Sequence, residues 1–240
     1  MLNPLSNDLG VLRQSLLFSG LESVSYNLNR KNNSIKFYEF GKTYHKYDDM
    51  YKEDKHLTLF VTGSRTKNSW KGVISNSDFF YLKGILTSVL ARLGIQNLKT
   101  TPTKNDVFSE GITLSLGKTK LADFGVVKRS ILKEFGIKQE VLFADLNWDN
   151  VLKLSSKKNI TVAELSKFPS VKRDLALLID DKIEFKEVYN LAFQSERKLL
   201  KEVDLFDVYE GDKLPEGKKS YAVSFVLQDE TKTLEDKQID

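Results

Sequence analysis

The sequence of 240 residues predicts an α+β protein with two domains and mostly antiparallel strands. Two stretches carry apolar residues at helical spacing, and several short runs of β-branched and aromatic residues are separated by turn residues. A polar stretch at 155–159, followed by Phe168-Pro169-Ser170, separates a first domain, residues 1–160, from a second domain, residues 161–240. Hydrophobic residues make up 40% of the chain, which is enough for a sizeable core.

The first helix is predicted over residues 9–29. Cap-type residues stand at 6–8, and the apolar residues that follow recur three or four positions apart. These apolar residues are Leu12, Leu16, Leu17, Leu21, Val24 and Leu28. Strands are predicted at 35–40 and 56–62, and the polar and charged residues between them, 47–55, predict a loop.

The clearest helix pattern covers residues 78–93. Its apolar residues form one stripe, and Gly94 suits the helix C-terminus. A β-hairpin is predicted at 112–127, followed by a short helix at 130–135 and a strand at 140–146.

The second domain has a predicted β-α-β-β-α order. The elements are a strand at 171–179, a helix at 185–198, strands at 203–209 and 219–227, and a helix that opens with a capping box at 233–236. This order is one strand short of the ferredoxin-like split βαβ unit. A final helix of about one turn cannot cover a sheet, so we expect the sequence to be a fragment truncated in this domain.

Composition excludes several kinds of site. The chain has no cysteine, which excludes disulfides, thiolate zinc sites and cysteine nucleophiles. Its two histidines, His45 and His56, lie in no nucleophile motif, and we interpret each as a surface or strand-edge residue. We therefore expect no metal site and no cysteine- or histidine-based catalytic site. No apolar run approaches the roughly 18 residues of a membrane helix, and the N-terminus has no secretory signal pattern.

The net charge of +4 is distributed unevenly. Residues 166–240 contain 13 Lys and Arg against 17 Asp and Glu, a net charge of −4, which leaves +8 for residues 1–165. An acidic partner such as nucleic acid is therefore expected to approach the first part of the chain. Solubility is the alternative interpretation, because the basic excess is spread along the chain.

Ordered segments of both domains resemble one known family. In the second domain they are 168–176 (FPSVKRDLA), 203–209 (VDLFDVY), 217–222 (GKKSYA) and 233–236 (TLED). In the first they are 3–6 (NPLS) with 12–17 (LRQSLL), 27–30 (NLNR) with 36–41 (KFYEFG), and 78–84 (DFFYLKG). Together they resemble the C-terminal part of the β subunit of bacterial phenylalanyl-tRNA synthetase, which ends in a ferredoxin-fold anticodon-binding domain.

The resemblance implies a fold and a role for each domain. Residues 1–160 would form a class II synthetase-like antiparallel sheet with helices, catalytically silent in the family, which packs against the catalytic α subunit in an (αβ)₂ assembly. Residues 161–240 would form a truncated ferredoxin-like (RRM-like) α/β sandwich that contributes to binding tRNA(Phe). The resemblance implies ATP and magnesium for the holoenzyme, no cofactor in this fragment, and a cytoplasmic location. The family's editing domains lie upstream and are absent from this sequence.

The residues at the expected active-site positions of the first domain are consistent with the absence of catalytic activity that the resemblance implies. A class II active site uses arginines to hold the ATP phosphates. Glu39 is present, but Thr43-Tyr44-His45 follows where an arginine is required, and residues 121–128 lack a Gly-rich run that ends in arginine. The chain also departs from the family in lacking His-Pro pairs near 106–108 and 127–128.

Candidate tRNA-binding residues follow from the resemblance in the second domain. They are Lys172, Arg173, Phe206, Lys218, Lys219 and Ser220. Ferredoxin-like sheets can present an open face where bases stack on aromatic rings and phosphates meet Lys or Arg. Strand alternation predicts that Phe206 and Tyr209 lie on opposite faces, so at most one of them stacks. Burial of the aromatic residues and solvation of the lysines remain the alternative, and the net charge of −4 argues against strong nonspecific attraction.

Candidate subunit-interface residues lie on the first predicted helix, which resembles the dimer-forming helix of class II enzymes. They are Leu12, Arg13, Leu16 and Leu17. Core packing of this helix is an equal alternative. Two other functions stay open: a free-standing RNA-binding protein with a degenerate synthetase-like module, and a divergent active class II ligase. The missing arginines count against the second, and RNA binding without a synthetase partner would distinguish the first.

Overall fold

The computed structural model describes residues 10–48, 50–66, 75–103, 105–156, 165–235 and 239. Backbone contacts divide the chain into two compact units, Met1–Thr161 and Val162–Asp240, called the first and second unit below. Every strand pairing among the described residues is antiparallel, and the predicted α+β class is confirmed. None of the described helices is both long enough and apolar enough to span a membrane.

The first unit is built on a six-stranded sheet. Its strands are β1 (Ile35–Tyr47), β2 (Met50–Thr62), β3 (Lys99–Pro102), β4 (Phe108–Leu116), β5 (Thr119–Val127) and β6 (Leu142–Asn147). Their order across the sheet is β1-β2-β6-β5-β4-β3. The predicted hairpin at 112–127 corresponds to β4 and β5, and the predicted strand at 140–146 corresponds to β6. The sequence reasoning did not predict β3, a short strand at the edge of the sheet.

In the described part of this unit, four helices accompany the sheet: α1 (Leu17–Leu28), α2 (Phe79–Arg92), α3 (Arg129–Glu134) and α4 (Trp148–Ser155). The helix predicted at 78–93 is confirmed as α2. The Asp78 carboxylate accepts a hydrogen bond from the backbone N–H of Tyr81 at 2.7 Å and thereby caps the helix N-terminus. Gly94 has a φ of 75°, which allows the chain to turn away from the helix C-terminus. The sequence reasoning did not predict α4.

Both faces of the six-stranded sheet are packed. Along β2, Leu57 and Val61 point to the face that packs against α2 and α4, whereas Phe60 between them points to the face that packs against α1 and α3. A Cβ at Gly20 of α1 would lie 2.0 Å from the Phe60 ring. The absence of a side chain at Gly20 therefore lets α1 approach the sheet closely.

The predicted start of the first helix is wrong. The helix begins at Leu17, and residues 10–16 are not helical. The backbone carbonyl of Arg13 accepts a hydrogen bond from the Tyr44 N–H at 3.0 Å, so this segment follows the edge strand β1. Its leucines have helical spacing, but hydrogen bonding to an open strand edge competes with the helix. The predicted cap residues at 6–8 lie outside the described residues.

The predicted loop at 47–55 is also wrong. Strands β1 and β2 continue through it and pair in register from Ile35↔Thr62 to Tyr47↔Met50. β6 pairs with β2 only along residues 56–61, so the distal part of the hairpin is a two-stranded ribbon. Polar side chains suit such a ribbon because solvent reaches both of its faces, and ion pairs join its strands, as between Lys42 and Glu53 at 2.7 Å.

The second unit contains β7 (Val171–Asp180), α5 (Phe185–Ser195), β8 (Leu200–Tyr209) and β9 (Lys218–Leu227). The sheet order is β7-β9-β8, which agrees with the predicted β-α-β-β succession. Helix α5 ends three residues before the predicted position. The helix predicted to open at 233 does not begin there, because residues 233–235 are not helical; Asp236, the last residue of the predicted capping box, lies outside the described residues. Residues 157–159 of the predicted polar boundary also lie outside them.

The core of the second unit lies between α5 and one face of its sheet. Val223, at the centre of β9, is fully buried and has Tyr221 and Phe225 on the same face. Val188 and Ala192 of α5 pack against this face. No described helix covers the other face of this sheet, which we call the open face.

Candidate functional site

Strand register assigns side chains to the open face of the second unit. On β9 the residues that point away from the α5 core are Ser220, Ala222, Ser224 and Val226. On β7 their neighbours are Lys172 and Asp174, and on β8 they are Asp204, Asp207 and Tyr209. The Ser224 hydroxyl donates a hydrogen bond to the Asp174 carboxylate across the two strands. The open face therefore combines these polar side chains with aromatic residues on β8 and with the apolar Ala176 and Leu178 of β7. Ser224 at its centre is only 2% exposed, so the accessible side chains of this face lie mainly on the outer strands.

Two predicted tRNA-binding residues meet on this face. The Lys172 Nζ lies 5.7 Å from the ring centroid of Phe206, within cation–π range, although the two residues belong to the two outer strands. Phe206 is 54% exposed and so presents ring surface to solvent. Lys172 also lies 3.9 Å from a carboxylate oxygen of Asp174. Ser220, a third predicted residue, lies on the same face further along β9.

The prediction that Phe206 and Tyr209 lie on opposite faces is wrong. The pairing of β8 with β9 shifts between Leu205 and Asp207, so Phe206 is an extra residue in a β-bulge. A bulge breaks the alternation of side chains. Tyr209 pairs with Ser220 of the open face and thus shares that face with Phe206. Two aromatic rings, rather than one, are available for stacking there.

The other predicted tRNA-binding residues are placed differently. Arg173 pairs with Phe225 of the core face and lines a groove of about 480 Å³ beside α5. Lys219 is only 8% exposed, and its ammonium donates to the backbone carbonyl of Asp181 at 2.6 Å. Lys218 forms an ion pair with Asp180 at 2.5 Å. Arg173 and Lys219 thus point to the core side, whereas Lys172, Lys218, Ser220 and Phe206 belong to the open side.

The open face carries more negative than positive charge. Register places Asp174 and Asp180 of β7 there, with Glu202, Asp204 and Asp207 of β8. Register places two lysines on the same face, Lys172 and Lys218, while Lys201 is an extra residue in a second bulge of β8 that the register assigns to neither face. A phosphate backbone laid across this face would be repelled by the carboxylates. The arrangement favours recognition of a few exposed bases at the aromatic residues over a broad electrostatic contact.

In the first unit, the predicted interface residues have different environments. Leu16 and Leu17 are buried in the unit, whereas Leu12 is 48% exposed. The Arg13 guanidinium pairs with the Glu39 carboxylate at 2.7 Å and donates to the backbone carbonyl of Lys42 at 3.2 Å. A Cβ at Gly41 would lie 2.5 Å from this guanidinium, so the glycine makes room for it. Arg13 therefore fastens residues 10–16 to β1, and Leu12 is the member that is open to a partner.

A polar groove of about 200 Å³ lies at one end of the six-stranded sheet and was not predicted. His56 Nδ1 lies 2.6 Å from an Asp145 carboxylate oxygen, and its Nε2 lies 3.0 Å from the Thr43 hydroxyl. The hydrogen bond to Asp145 raises the pKa of His56 above its usual value, although burial opposes the shift. His56 was predicted to be a surface or strand-edge residue; it is not at a sheet edge, because β2 lies between β1 and β6, and its side chain is 16% exposed in this groove. Asp145 is 89 residues away in sequence, so no local motif indicates the pair.

This groove does not fit a nucleoside triphosphate. Two carboxylates, Asp145 and Asp123, line it, and the Lys120 ammonium beside them is paired with Asp123 at 2.5 Å. No arginine is found among the described residues that line it. Arg13, which lies beside the edge strand β1, is already paired with Glu39 and is not available to such a ligand. The described residues also include no group of three or more His, Asp or Glu placed to hold a metal ion.

Comparisons with known proteins identify relatives over the whole chain. Residues 1–148 match the family model described as phenylalanyl tRNA synthetase beta chain CLM domain, and residues 166–240 match that of the ferredoxin-fold anticodon binding domain. The phenylalanine–tRNA ligase beta subunit of Bacteroides thetaiotaomicron is 49% identical over 252 residues, and that of Porphyromonas gingivalis is 43% identical over 254. Each alignment covers 100% of this chain and 31% of the relative.

A solved structure of pyrrolysyl-tRNA synthetase from Desulfitobacterium hafniense gives a TM-score of 0.46 at 16% identity, over 60% of this chain and 50% of that one. This likeness is too weak to support an argument. The chain spans about a third of the length of the curated relatives that it matches. The resemblance found in the sequence is confirmed by both family matches: this chain belongs to the phenylalanyl-tRNA synthetase beta chain family.

Proposed function

We propose that this chain is the region of a phenylalanine–tRNA ligase β subunit that supports the catalytic α subunit in an (αβ)₂ assembly and contributes to binding the anticodon of tRNA(Phe). The observation that carries the proposal is the succession of two family matches, 1–148 and 166–240, in one chain. The relatives at 43–49% identity are named as beta subunits of this ligase. Aminoacylation, with its ATP and magnesium, belongs to the holoenzyme, and its location is the cytoplasm, where translation uses the product.

The first domain, residues 1–160, acts as a non-catalytic assembly module. Its polar groove holds carboxylates where a triphosphate would need cations, which supports assembly rather than chemistry. Exposed apolar side chains along its N-terminal part, Leu12, Phe18 and Tyr26, offer a surface for the α subunit. Leu16 and Leu17 are buried in the first unit and anchor the segment that carries these exposed side chains.

The second domain, residues 161–240, binds unpaired bases of the anticodon on its open face. Phe206 and Tyr209 provide stacking surfaces, and Lys172 beside Phe206 neutralises a phosphate of the same strand. The Ser220 hydroxyl is a hydrogen-bonding group on that face. Lys218 and Lys219 act indirectly, because each is tied to the turn that follows β7 by its contact with Asp180 or Asp181.

Assembly is tested by co-purifying this chain with the α subunit of the same organism and measuring the mass of the complex by light scattering. The proposal expects a stoichiometric complex. Failure of the folded chain to form any complex, even when the upstream part of the β subunit is restored, would contradict the assembly role.

Anticodon binding is tested with the intact β subunit in its complex with α. A double variant, Lys172→Glu with Phe206→Ala, should weaken binding of tRNA(Phe) by about tenfold or more, because it removes one stacked base and one phosphate contact. A matched control, Lys186→Glu with Leu191→Ala, makes the same kinds of change at exposed residues of α5. An equal loss in both variants, or no loss in either, would contradict the assignment of the open face.

A further inference from the structure

A cationic surface lies on the first unit, apart from the polar groove beside His56. It consists of two grooves that share Arg65. The first, of about 530 Å³, includes Lys31, Lys36 and Arg65, and the second, of about 440 Å³, includes Arg65, Phe80, Tyr81 and Arg92. Because Arg65 lines both, the two grooves adjoin, and we call them together the Arg65 groove. Among the described residues that line it, none is Asp or Glu.

The centre of the Arg65 groove holds two cations against one aromatic ring. The Lys36 Nζ lies 5.2 Å from the ring centroid of Tyr81, and the Arg65 guanidinium carbon lies 4.9 Å from the same centroid. The Lys36 ammonium also donates a hydrogen bond to the backbone carbonyl of Arg65 at 2.8 Å. Two like charges at one ring repel each other, so an anion placed between them would be stabilised.

Two other grooves among the described residues have linings that include carboxylates. The groove beside His56 contains Asp123 and Asp145, and the groove beside α5 contains Asp174 and Glu196. The Arg65 groove also belongs to the part of the chain whose net charge is +8. The cations that line the Arg65 groove and the electrostatic field of residues 1–165, with their positive net charge, therefore both favour the binding of a polyanion there.

The remaining lining residues indicate which polyanion. Asn32, Asn33 and Ser34 supply amide and hydroxyl groups, which commonly accompany Arg and Lys in contacts to phosphate oxygens. Phe80 is 74% exposed at the second groove, where a base can stack on its ring. Cations with hydrogen-bonding groups and an exposed ring form the combination used to bind a single-stranded nucleic acid.

We propose that the Arg65 groove binds an RNA strand, with backbone phosphates at Lys36 and Arg65 and a base stacked on Phe80. The site consists of residues of the first unit, whereas the open face belongs to the second. It does not rest on the anticodon-binding role, and the failure of either assignment leaves the other standing.

The test measures fluorescence anisotropy of a labelled tRNA(Phe) transcript and a labelled 20-nucleotide single-stranded RNA with the 240-residue chain, from about 50 to 300 mM salt. The double reversal Lys36→Glu with Arg65→Glu should weaken binding at least about tenfold and reduce the salt slope by about 1.5 to 2. The control Lys118→Glu with Lys133→Glu makes the same change in net charge at exposed residues elsewhere in the first unit. Phe80→Ala should weaken binding of single-stranded RNA about fivefold or more and leave the salt slope unchanged.

Circular dichroism and Trp emission establish that each variant is folded, and Lys36→Gln with Arg65→Gln provides a milder second variant. Loss of binding in the groove variants with retention in the control supports the site. Equal loss in the control, or no measurable RNA binding by the unaltered chain at about 50 mM salt, would overturn it. Competition by polyglutamate as effective as that by unlabelled RNA would overturn the choice of RNA, and unchanged binding by Phe80→Ala would overturn the stacking contact.

Discussion

The two sheets of this chain differ in how many of their faces are packed. The six-stranded sheet of the first unit has helices on both faces, so that Val61 and Phe60, adjacent residues of β2 that point in opposite directions, are both buried. The three-stranded sheet of the second unit has α5 on one face, and its other face carries exposed residues such as Phe206. The first sheet thus forms a core between two layers of helices, whereas the second sheet exposes side chains of its outer strands on one face.

Because of this difference, the two units offer different kinds of surface to binding partners. A sheet packed on both faces leaves its edges, its helix surfaces and the grooves beside them for partners, which is where Leu12 and the Arg65 groove lie. A sheet with an open face can present strand residues directly, as β8 does with Phe206 and Tyr209. The difference also predicts unequal stability, because the amount of apolar surface removed from water is larger in the first unit.

The largest expected effect comes from Leu86→Ala in the first unit. Leu86 is fully buried between α2 and the sheet, and removal of its side chain leaves a cavity in a tightly packed core. We expect a loss of about 3 kcal/mol in the free energy of unfolding. Both Trp residues, Trp70 and Trp148, belong to the first unit, so urea titration followed by Trp emission reports on this unit.

The exposed Phe80→Ala on the same helix is the control and should change that free energy by less than about 0.5 kcal/mol. Hydrogen exchange of amides 171–227 should be unaffected by Leu86→Ala, because the second unit has its own core. Equal acceleration of exchange in both units would show that they unfold together rather than as two units of unequal stability.

A smaller effect is expected from Val223→Ala in the second unit. Val223 is fully buried at the centre of β9, but only one face of its sheet is packed. We expect a loss of about 2 kcal/mol, measured as faster exchange of amides 171–227 without a change in the Trp transition. Val226→Ala, on the open face of the same strand, is the matched control and should have a lesser effect. If the two substitutions were equally destabilising, the open face would have to be packed.

The elements that sequence reasoning found are those with a strong local pattern. Helix α2 has an apolar stripe, the Asp78 cap and Gly94, and the hairpin of β4 and β5 has a glycine turn. Local sequence patterns predicted the wrong secondary structure where tertiary contacts determine the backbone conformation. Residues 10–16 carry helical spacing but bond to the edge of β1, and residues 47–55 look like a loop because a two-stranded ribbon needs no apolar side.

The candidate sites were predictable to different degrees. Family resemblance indicated Lys172 and Phe206 as tRNA-binding residues, and the structure brings them together. Tyr209 lies on the same face because of a β-bulge, which no residue pattern in the sequence predicts. Burial of Lys219 was not predictable, because its acceptor is a backbone carbonyl. The basic excess of the first part of the chain was visible in the sequence, whereas its concentration around Tyr81 depends on residues from three separate elements.

The smallest effect concerns the polar groove of His56, where strand residues of the first sheet line a groove that is open to solvent. The folded-state pKa of His56 is raised by its hydrogen bond to Asp145, with further contributions from Asp54 and Asp149. Protonated His56 therefore stabilises the folded first unit. This contribution is complete below the unfolded-state pKa of about 6.5 and is lost as the pH rises through the higher, folded-state pKa.

We expect the free energy of unfolding of the first unit to fall by about 1 to 1.5 kcal/mol for this reason between pH 5.5 and 8.5, measured by urea titrations with Trp emission. Asp145→Asn should remove most of this fall, because the neutral amide no longer favours the charged imidazole. His45→Gln, which changes the histidine on the edge strand, should retain it. A fall of the same size in Asp145→Asn would mean that other groups cause the dependence and that the polar groove is not coupled to the stability of the sheet around it.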